Sequence, residues 1–253
     1  MHKFFTESHN ITENQGIILG DDVKHIYKVL RLSEGEEVVL NNCEGVEYLG
    51  KINSITKSEI VVDIIKKLDV NNESDIKIYL FQGLPKGQKM DLIVQKGTEL
   101  GINEFIPIIT SRVDVKLKGE FKKLDRLNRI ALEASKQSKR SIIPKVNEAI
   151  NFDEALSELK NMDLIVVPYE NAENFGIKTL MKKLREKSSD LSSIQNVGIV
   201  IGPEGGFEEE EISQLSSMGA YIVTLGKRIL RTETAGFTAA ALIQYELSDL
   251  GGI

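Results

Sequence analysis

The chain has 253 residues, of which 41% are hydrophobic and 28% are charged, a composition typical of a folded globular protein with one or two domains. No apolar run approaches the length that crosses a membrane, and the first residues lack the apolar core of a signal peptide. The single cysteine, Cys43, excludes an intramolecular disulfide and favours a reducing compartment, so we expect a cytoplasmic protein.

Histidine and cysteine are absent from most of the chain. The three histidines are His2, His9 and His25, and no residue after Cys43 is of either type. A zinc cluster therefore lacks ligands at usable spacing, and we expect no metal site. Hydrolase chemistry of the Ser-His-Asp or Cys-His kind is excluded from the remainder of the chain for the same reason.

Short β-branched runs fill the first part of the chain. They cover residues 38–40, 46–52 and 60–65, and turns rich in Asn, Glu and Gly separate them. A small β-barrel is the usual way for such strands to avoid exposed edges. Residues 70–75 are polar and aperiodic, so we place a domain boundary there and predict domains of residues 1–72 and 73–253.

From residue 76 onward, apolar runs of strand length alternate with stretches of helical periodicity. The expected strands cover residues 76–84, 104–110, 164–168, 197–201 and 221–225. One helical face is traced by Met90, Ile93, Val94, Gly97 and Leu100, a second by Phe121, Leu124, Leu127, Ala131 and Ala134, and a last helix covers residues 232–247. This alternation predicts an α/β domain with a mostly parallel sheet.

The loop at residues 202–207, Gly-Pro-Glu-Gly-Gly-Phe, follows a buried strand and precedes four acids, residues 208–211. The glycine pair permits positive φ and a close approach of the backbone to a ligand. Four carboxylates in a first helical turn would repel a pyrophosphate, and the loop matches neither the dinucleotide fingerprint nor the P-loop pattern. It indicates either an ordinary strand-to-helix turn or a backbone-lined pocket for a ligand without phosphates.

A second loop, residues 225–235, also follows a β-branched run and leads into a helix. Together the two loops resemble the cofactor loops of the RsmE-type family, the small-subunit ribosomal RNA uridine N3-methyltransferases of the SPOUT class. Residues 25–31 and 133–140 resemble further family motifs, so the resemblance covers nearly the whole chain. It implies a PUA-like RNA-binding barrel at the N-terminus, a trefoil knot in the C-terminal domain, a homodimer, and action on the assembled small subunit.

The resemblance also implies the cofactor, S-adenosylmethionine, and a set of residues around it. These are Pro168, Gly202, Glu204, Gly205, Gly206, Leu225, Gly226, Ile229, Leu230 and Thr234. Methylation at C5 of a pyrimidine generally needs a cysteine nucleophile, which this domain lacks, so transfer to nitrogen or oxygen is favoured. Loss of the imide proton at uridine N3 would be assisted by a cation, and Arg231 is the candidate. Its alternative role is an ion pair with Glu204 or Glu233 that stiffens the pocket.

Positive charge is concentrated in residues 112–145, which hold 11 Lys and Arg against 4 Asp and Glu, although the whole chain has a net charge of −6. At helical spacing, one stripe joins Lys122, Arg126, Arg129, Lys136 and Arg140. The stripe is either a solvated helix face or a surface that tracks RNA phosphates. The candidate RNA-binding residues are Arg31, Lys89, Arg112, Arg129, Lys136 and Arg140. For Arg31, covering one end of the barrel is the alternative role.

Three functions remain open at this point. The first is methylation of uridine N3 in 16S ribosomal RNA with S-adenosylmethionine, and the second is a ribose 2′-O-methyltransferase of the same class. The third is a non-catalytic RNA-binding module in ribosome assembly, which the match of both loops disfavours. In the last helix, small residues such as Ala239 and Ala240 suit either a dimer contact or an internal packing contact.

Overall fold

The computed structural model describes residues 1–70, 72–114 and 124–252, and it divides into two compact units. Unit 1 contains Met1–Glu73 and Ser135–Ile143, and unit 2 contains Ser74–Ala134 and Pro144–Ile253. The segment Ser135–Ile143 therefore groups with residues that lie far from it in the sequence. Its backbone explains this grouping, because the Gly45 N–H donates to the Ser141 carbonyl at 3.0 Å.

Unit 1 is built on a five-stranded sheet. Its strands are β1 (His2–Phe5), β2 (Gln15–Leu19), β3 (Glu37–Asn41), β4 (Glu47–Ile55) and β5 (Glu59–Leu68), in the order β1-β3-β4-β5-β2. Only the pair of β1 and β3 is parallel. The Thr6 hydroxyl donates to the Ile17 carbonyl at 2.6 Å, so the two edge strands approach each other and the sheet curls.

The apolar interior of unit 1 comes from alternate residues of these strands and from one short helical segment. That segment is helix α1 (Asp21–Lys24), which continues as a π-helical turn over His25–Leu30. The three β-branched runs expected from the sequence correspond to β3, β4 and β5, whereas β1 and β2 were not expected. The buried side chains are Phe4, Ile18, Val23, Ile26, Val38, Leu40, Ile52, Ile60 and Val62.

Unit 2 alternates strands and helices, as its sequence pattern predicts. Its strands are β6 (Lys77–Gly83), β7 (Ile102–Ile109), β8 (Lys145–Val146), β9 (Ile150–Asn151), β10 (Leu164–Pro168), β11 (Asn196–Ile201) and β12 (Tyr221–Val223). Its helices are α2 (Lys89–Glu99), α3 (Leu124–Ser138), α4 (Phe152–Leu159), α5 (Ile177–Lys187), α6 (Glu209–Ser217) and α7 (Thr232–Leu247). Helix α3 runs into unit 1 at its C-terminal end. The expected Phe121 of its apolar face lies outside the described residues.

The sheet of unit 2 is parallel in every described strand pair, which confirms the predicted fold class. The strand order is β12-β10-β11-β6-β7-β8, and β9 also pairs with β7. Strands covered on both faces read as continuous apolar runs, and the central pair of β6 and β11 is almost wholly buried. Helices α4 and α5 were not expected from the sequence. The trefoil knot remains a prediction that rests on the resemblance.

Parallel strands direct their carboxyl ends to one edge of the sheet, which is where ligands bind in open α/β folds. At this edge β6 ends at Gly83, β10 at Pro168, β11 at Ile201 and β12 at Val223. Both glycine loops singled out in the sequence begin here.

In the described ranges, no helix is long and apolar enough to cross a membrane.

Candidate active site

The first loop, residues 202–207, is anchored by the acids around it. The Arg112 guanidinium grips Glu208 through two hydrogen bonds, from Nε to Oε1 at 2.7 Å and from Nη2 to Oε2 at 2.9 Å. Its Nη1 also donates to the carbonyl of Gly205 at 3.0 Å. The hydrogen bond from Arg112 holds the pKa of Glu208 below its ordinary value. Arg112 therefore positions the loop, and an RNA contact from it remains a prediction.

A second ion pair fixes the other side of the same loop. Glu204 Oε1 accepts hydrogen bonds from Lys89 Nζ at 2.8 Å and from the Lys86 N–H at 3.0 Å. Burial disfavours the charged form of Glu204, but these hydrogen bonds outweigh it and lower its pKa. Glu204 therefore anchors the first loop to Lys86 and Lys89.

At two positions in this region, Gly206 and Gly83, a side chain would be sterically unfavourable. Gly206 has φ +70, a conformation in which a residue with a Cβ is strained, and its N–H donates to the Pro203 carbonyl at 2.9 Å. Gly83, at the end of β6, lies against the backbone of the first loop. A Cβ there would stand 2.5 Å from the Pro203 nitrogen and 2.8 Å from the Gly202 carbonyl carbon. The close approach of these two backbones requires glycine at position 83.

The second loop joins β12 to α7 and carries its own turn. Gly226 has φ +117, and its N–H donates to the Thr224 hydroxyl at 3.1 Å. Arg231 has an extended backbone and is the N-cap residue of α7, with its carbonyl accepting from the Ala235 N–H at 2.8 Å. The Arg231 side chain is thus directed by a helix start that is fixed to the sheet edge.

A buried chain of hydrogen bonds connects the two loops. Gln82 Nε2 donates to the Thr232 hydroxyl at 2.8 Å, and that hydroxyl donates to the Gly202 carbonyl at 2.6 Å. The same Gln82 nitrogen donates to the Gly83 carbonyl at 3.0 Å. Because Gln82 is fully buried on β6, this relay ties the first loop and the start of α7 to the central strand.

A cavity of about 450 Å³ lies between the two loops. Most of the cofactor residues expected from the sequence line this cavity or a smaller adjoining one, whereas Gly205 and Thr234 lie outside both linings. The larger cavity is lined by the expected Pro168, Gly202, Glu204, Gly206, Ile229 and Leu230, and the smaller one by Pro168, Leu225, Gly226, Ile229 and Leu230. Ile229 touches both linings although its side chain is 85% exposed.

Arg231, the expected catalytic residue, lines the larger cavity together with Lys89. Within the described residues Arg231 forms no ion pair within 4 Å, because the carboxylate of Glu204 faces Lys89 instead. Glu233 also faces Lys89, with its Oε2 3.7 Å from Lys89 Nζ. The alternative role of Arg231, a strut paired with either acid, therefore lacks the contacts it needs. Lys89, and not Arg231, is the cation that faces both acids.

Several lining residues were missed by sequence reasoning. Glu170 lines both cavities, Phe207 and Thr232 line the larger one, and Lys227 and Arg228 line the smaller one. The signal for Glu170 was its position two residues beyond the end of a predicted parallel strand. Thr232 carried no such signal, since its role depends on a hydrogen bond to Gln82, a buried residue on β6.

Besides Arg112, two of the expected RNA-binding residues are exposed in the structure. Arg31 closes the π-helical turn of unit 1 with φ +54, a left-handed conformation, and Arg129 is exposed on α3. Neither placement tests RNA binding, which remains a prediction for both. Lys122, the first member of the expected basic stripe, lies outside the described residues.

The stripe is shorter than the sequence indicates, because α3 ends at Ser138. Arg140 lies beyond the helix and is only 4% exposed, with Nη2 donating to Glu73 Oε2 at 2.6 Å. Glu73 Oε1 accepts a hydrogen bond from the Ser141 N–H at 2.7 Å, so Glu73 holds the segment Ser135–Ile143 within unit 1. Lys136 is partly exposed and contacts Asp22 at 3.1 Å. The expectation of one continuous exposed stripe is therefore wrong at Arg140.

The cavity suits a small organic cofactor without phosphates. Its volume lies in the range of small-molecule sites, and Ile201, Phe207 and Leu230 give it an apolar lining beside the loop backbone. Its charged side chains are two acids, Glu170 and Glu204, and two cations, Lys89 and Arg231, so the wall lacks the net positive charge that would favour a pyrophosphate. Across the described part of the chain, no group of three or more His, Cys, Asp or Glu residues could hold a metal ion.

Comparison with known proteins agrees with this geometry. The family model described as an RNA methyltransferase domain matches residues 72–244, and the one described as an RNA methyltransferase PUA domain matches residues 18–65. The chain is 37% identical to ribosomal RNA small subunit methyltransferase E of Bacillus subtilis, over 93% of this chain and 91% of that protein.

Two solved structures match over almost the full length. Ribosomal RNA small subunit methyltransferase E from Neisseria gonorrhoeae, bound to S-adenosylmethionine, is 30% identical with a TM-score of 0.78, covering 98% of this chain and 99% of that one. A putative methyltransferase from Legionella pneumophila, in complex with the same cofactor, is 30% identical with a TM-score of 0.81, covering 98% of both chains. The chain therefore belongs to the RsmE-type family of small-subunit ribosomal RNA methyltransferases.

Proposed function

We propose that this protein transfers a methyl group from S-adenosylmethionine to N3 of a uridine in 16S ribosomal RNA, in the cytoplasm and on the assembled small subunit. The observation that carries the proposal is the cavity between the two glycine loops, with Arg231 on its wall. The relatives named above support the reaction class, since two of them are named ribosomal RNA small subunit methyltransferase E and the two solved structures contain this cofactor.

The backbone of the two loops would hold the cofactor, and the apolar lining would exclude water from its reactive end. When bound, S-adenosylmethionine supplies an electrophilic methyl carbon on a sulfonium. The protein must then place the uracil N3 in line with that carbon, because methyl displacement depends mainly on positioning. The anchored first loop and the relay through Thr232 provide a rigid frame for this alignment.

The imide proton of the uracil passes from N3 to solvent water before or during the transfer, and the negative charge is delocalised over N3 and the two exocyclic oxygens, O2 and O4. Arg231 lies at the N-terminus of α7, where its guanidinium can face that charge without being neutralised by Glu204 or Glu233. A preorganised cation at this point lowers the energy of the anion. The N3–methyl bond forms as the methyl–sulfur bond breaks, which leaves S-adenosylhomocysteine.

The direct test is methylation of unmodified small subunits by the purified protein, followed by nucleoside mass spectrometry. The proposal requires N3-methyluridine. A product methylated on ribose would support a 2′-O-methyltransferase instead, and cofactor binding without any methylated nucleoside would point to an RNA-binding assembly factor. Calorimetry with S-adenosylmethionine, run in parallel, separates a failure to bind the cofactor from a failure to recognise the RNA.

We further propose that the protein acts as a homodimer, as its family resemblance implies. Ala239 and Ala240, two small residues considered for the contact, are fully buried inside unit 2 and serve internal packing. The exposed apolar residues of α7 are Leu242 and Tyr245, at 40% and 64% exposure. Sedimentation of the wild type should give a dimer, and Leu242→Glu with Tyr245→Glu should give folded monomers. A wild-type monomer at micromolar concentration contradicts this proposal.

A further inference from the structure

Glu170 stands at the wall shared by the two cavities of unit 2. It follows β10 closely, and the Tyr169 N–H donates to the Val223 carbonyl at 2.9 Å, which fixes this strand end against β12. The Ala172 N–H donates to the Tyr169 carbonyl at 3.1 Å and closes a turn around Glu170. The carboxylate is therefore presented by an ordered backbone at the ligand-binding edge of the sheet.

The Glu170 carboxylate also lies against the first loop. Its Oε1 is 2.6 Å from the point at which a Cβ on Gly206 would stand. A glycine at position 206 therefore leaves the space that this carboxylate occupies. Glu170 is exposed to solvent, and it lines both cavities beside the first loop.

Two other acids at the first loop have partners within the protein. Glu204 is paired with Lys89, and Glu208 with Arg112. Throughout the described residues, by contrast, Glu170 has no ion pair within 4 Å and no side-chain hydrogen bond. Arg112 interacts with Glu170 electrostatically from beyond ion-pair distance and is itself paired with Glu208. A negative charge on the cavity wall that forms no direct ion pair is complementary to a cationic ligand.

We propose that Glu170 determines ligand specificity by recognising a cationic group of the cofactor. This inference rests on the proposed function, because S-adenosylmethionine carries two such groups, the sulfonium and the α-ammonium. The product S-adenosylhomocysteine retains the ammonium but has a neutral sulfur. A third compound, 5′-methylthioadenosine, keeps the adenosine and has neither charge. Comparing the three ligands isolates the contribution of each cation.

The test is Glu170→Gln, which keeps the side-chain shape and removes its charge. Calorimetry, or displacement of labelled cofactor, gives the affinity for each ligand. We expect S-adenosylmethionine to bind about five-fold more weakly, the effect of one partly exposed charge pair, and 5′-methylthioadenosine to bind as it does to the wild type. An equal loss for S-adenosylhomocysteine assigns the contact to the ammonium, and an unchanged affinity for it assigns the contact to the sulfonium.

Glu173→Gln is the matched control, because this exposed acid lies in the same loop but lines neither cavity. It should bind all three ligands as the wild type does. Unchanged or tighter binding of S-adenosylmethionine by Glu170→Gln overturns the inference, and so does an equal loss for all three ligands, which would indicate a contact to the adenosine or a role in holding the loop. A wild-type protein that binds no S-adenosylmethionine would refute the proposed function itself.

Discussion

Removing the Thr232 hydroxyl tests whether the two loops are held at a fixed separation by the buried relay. Thr232→Val keeps the shape of the side chain but breaks two hydrogen bonds, the 2.8 Å bond from Gln82 and the 2.6 Å bond to the Gly202 carbonyl. Each contributes about 1 kcal/mol net, so the variant should lose about 2 kcal/mol of stability. Gln82 keeps its bond to the Gly83 carbonyl, so its amide nitrogen is not left without a partner.

This loss should appear in two measurements. For a chain of this size, ~2 kcal/mol corresponds to a fall in melting temperature of roughly 4–8 °C. Cofactor binding must also restore the separation of the loops, so part of the lost free energy weakens binding, and we expect about a ten-fold rise in the Kd for S-adenosylmethionine. Differential scanning calorimetry and isothermal titration calorimetry give the two quantities on one preparation.

Thr232→Ser is the control, because it retains the hydroxyl and should stay within about two-fold of the wild-type affinity. If Thr232→Val melts and binds like the wild type, the relay is incidental and the loops are positioned by other contacts. If it melts early but binds normally, the relay stabilises unit 2 without shaping the cavity. Only the combined loss, absent in the serine variant, supports the reasoning.

Three further predictions concern the loops and the basic residues. Gly83→Ala should lower the free energy of unfolding by about 1–3 kcal/mol and weaken cofactor binding, because its Cβ would clash with the Pro203 backbone. Wild-type affinity and stability would contradict this prediction. Arg231→Ala should bind S-adenosylmethionine within a few-fold of the wild type but lose ~10²–10³ in single-turnover methylation, with only partial recovery in Arg231→Lys; an equal loss of binding would make Arg231 a pocket strut. Lys136→Ala should reduce the slope of log K for RNA binding against log salt concentration by about 0.7–0.9, and an unchanged slope would make Lys136 a structural residue. Arg140→Ala should instead lower the melting temperature, because Arg140 is buried and paired with Glu73.

The fold of unit 2 was predictable because its central strands are buried on both faces. Strand β11 is therefore an unbroken apolar run that ends at a glycine loop, and β10 is another. The edge strands β1 and β2 of unit 1 were missed since only part of each is buried, which leaves short and mixed patterns. The grouping of Ser135–Ile143 with unit 1 had no local signal, because its partner Glu73 is distant in sequence.

The site was predictable as two loops but not as a set of contacts. Glycine and proline mark where a strand ends, and parallel topology then places those ends together. Which side chains face each other depends on the register of neighbouring strands, and a single sequence does not contain it. Gln82 and Thr232 are separated by 150 positions, and nothing near either residue predicts their hydrogen bond.

The charged residues show most clearly that a single sequence does not predict which side chains pair. From the sequence, Lys89 and Arg112 are cations in an RNA-binding protein, and the acids in and after the first loop, Glu204 and Glu208 among them, are groups that repel phosphate. In the structure these charges neutralise each other, with Lys89 on Glu204 and Arg112 on Glu208. A cation already held in a bidentate pair would have to break that pair, at a cost in loop order, before it could bind a phosphate. The charge that matters for chemistry is therefore the one left without an internal partner, and on the wall of the larger cavity Arg231 meets that condition among the described cations.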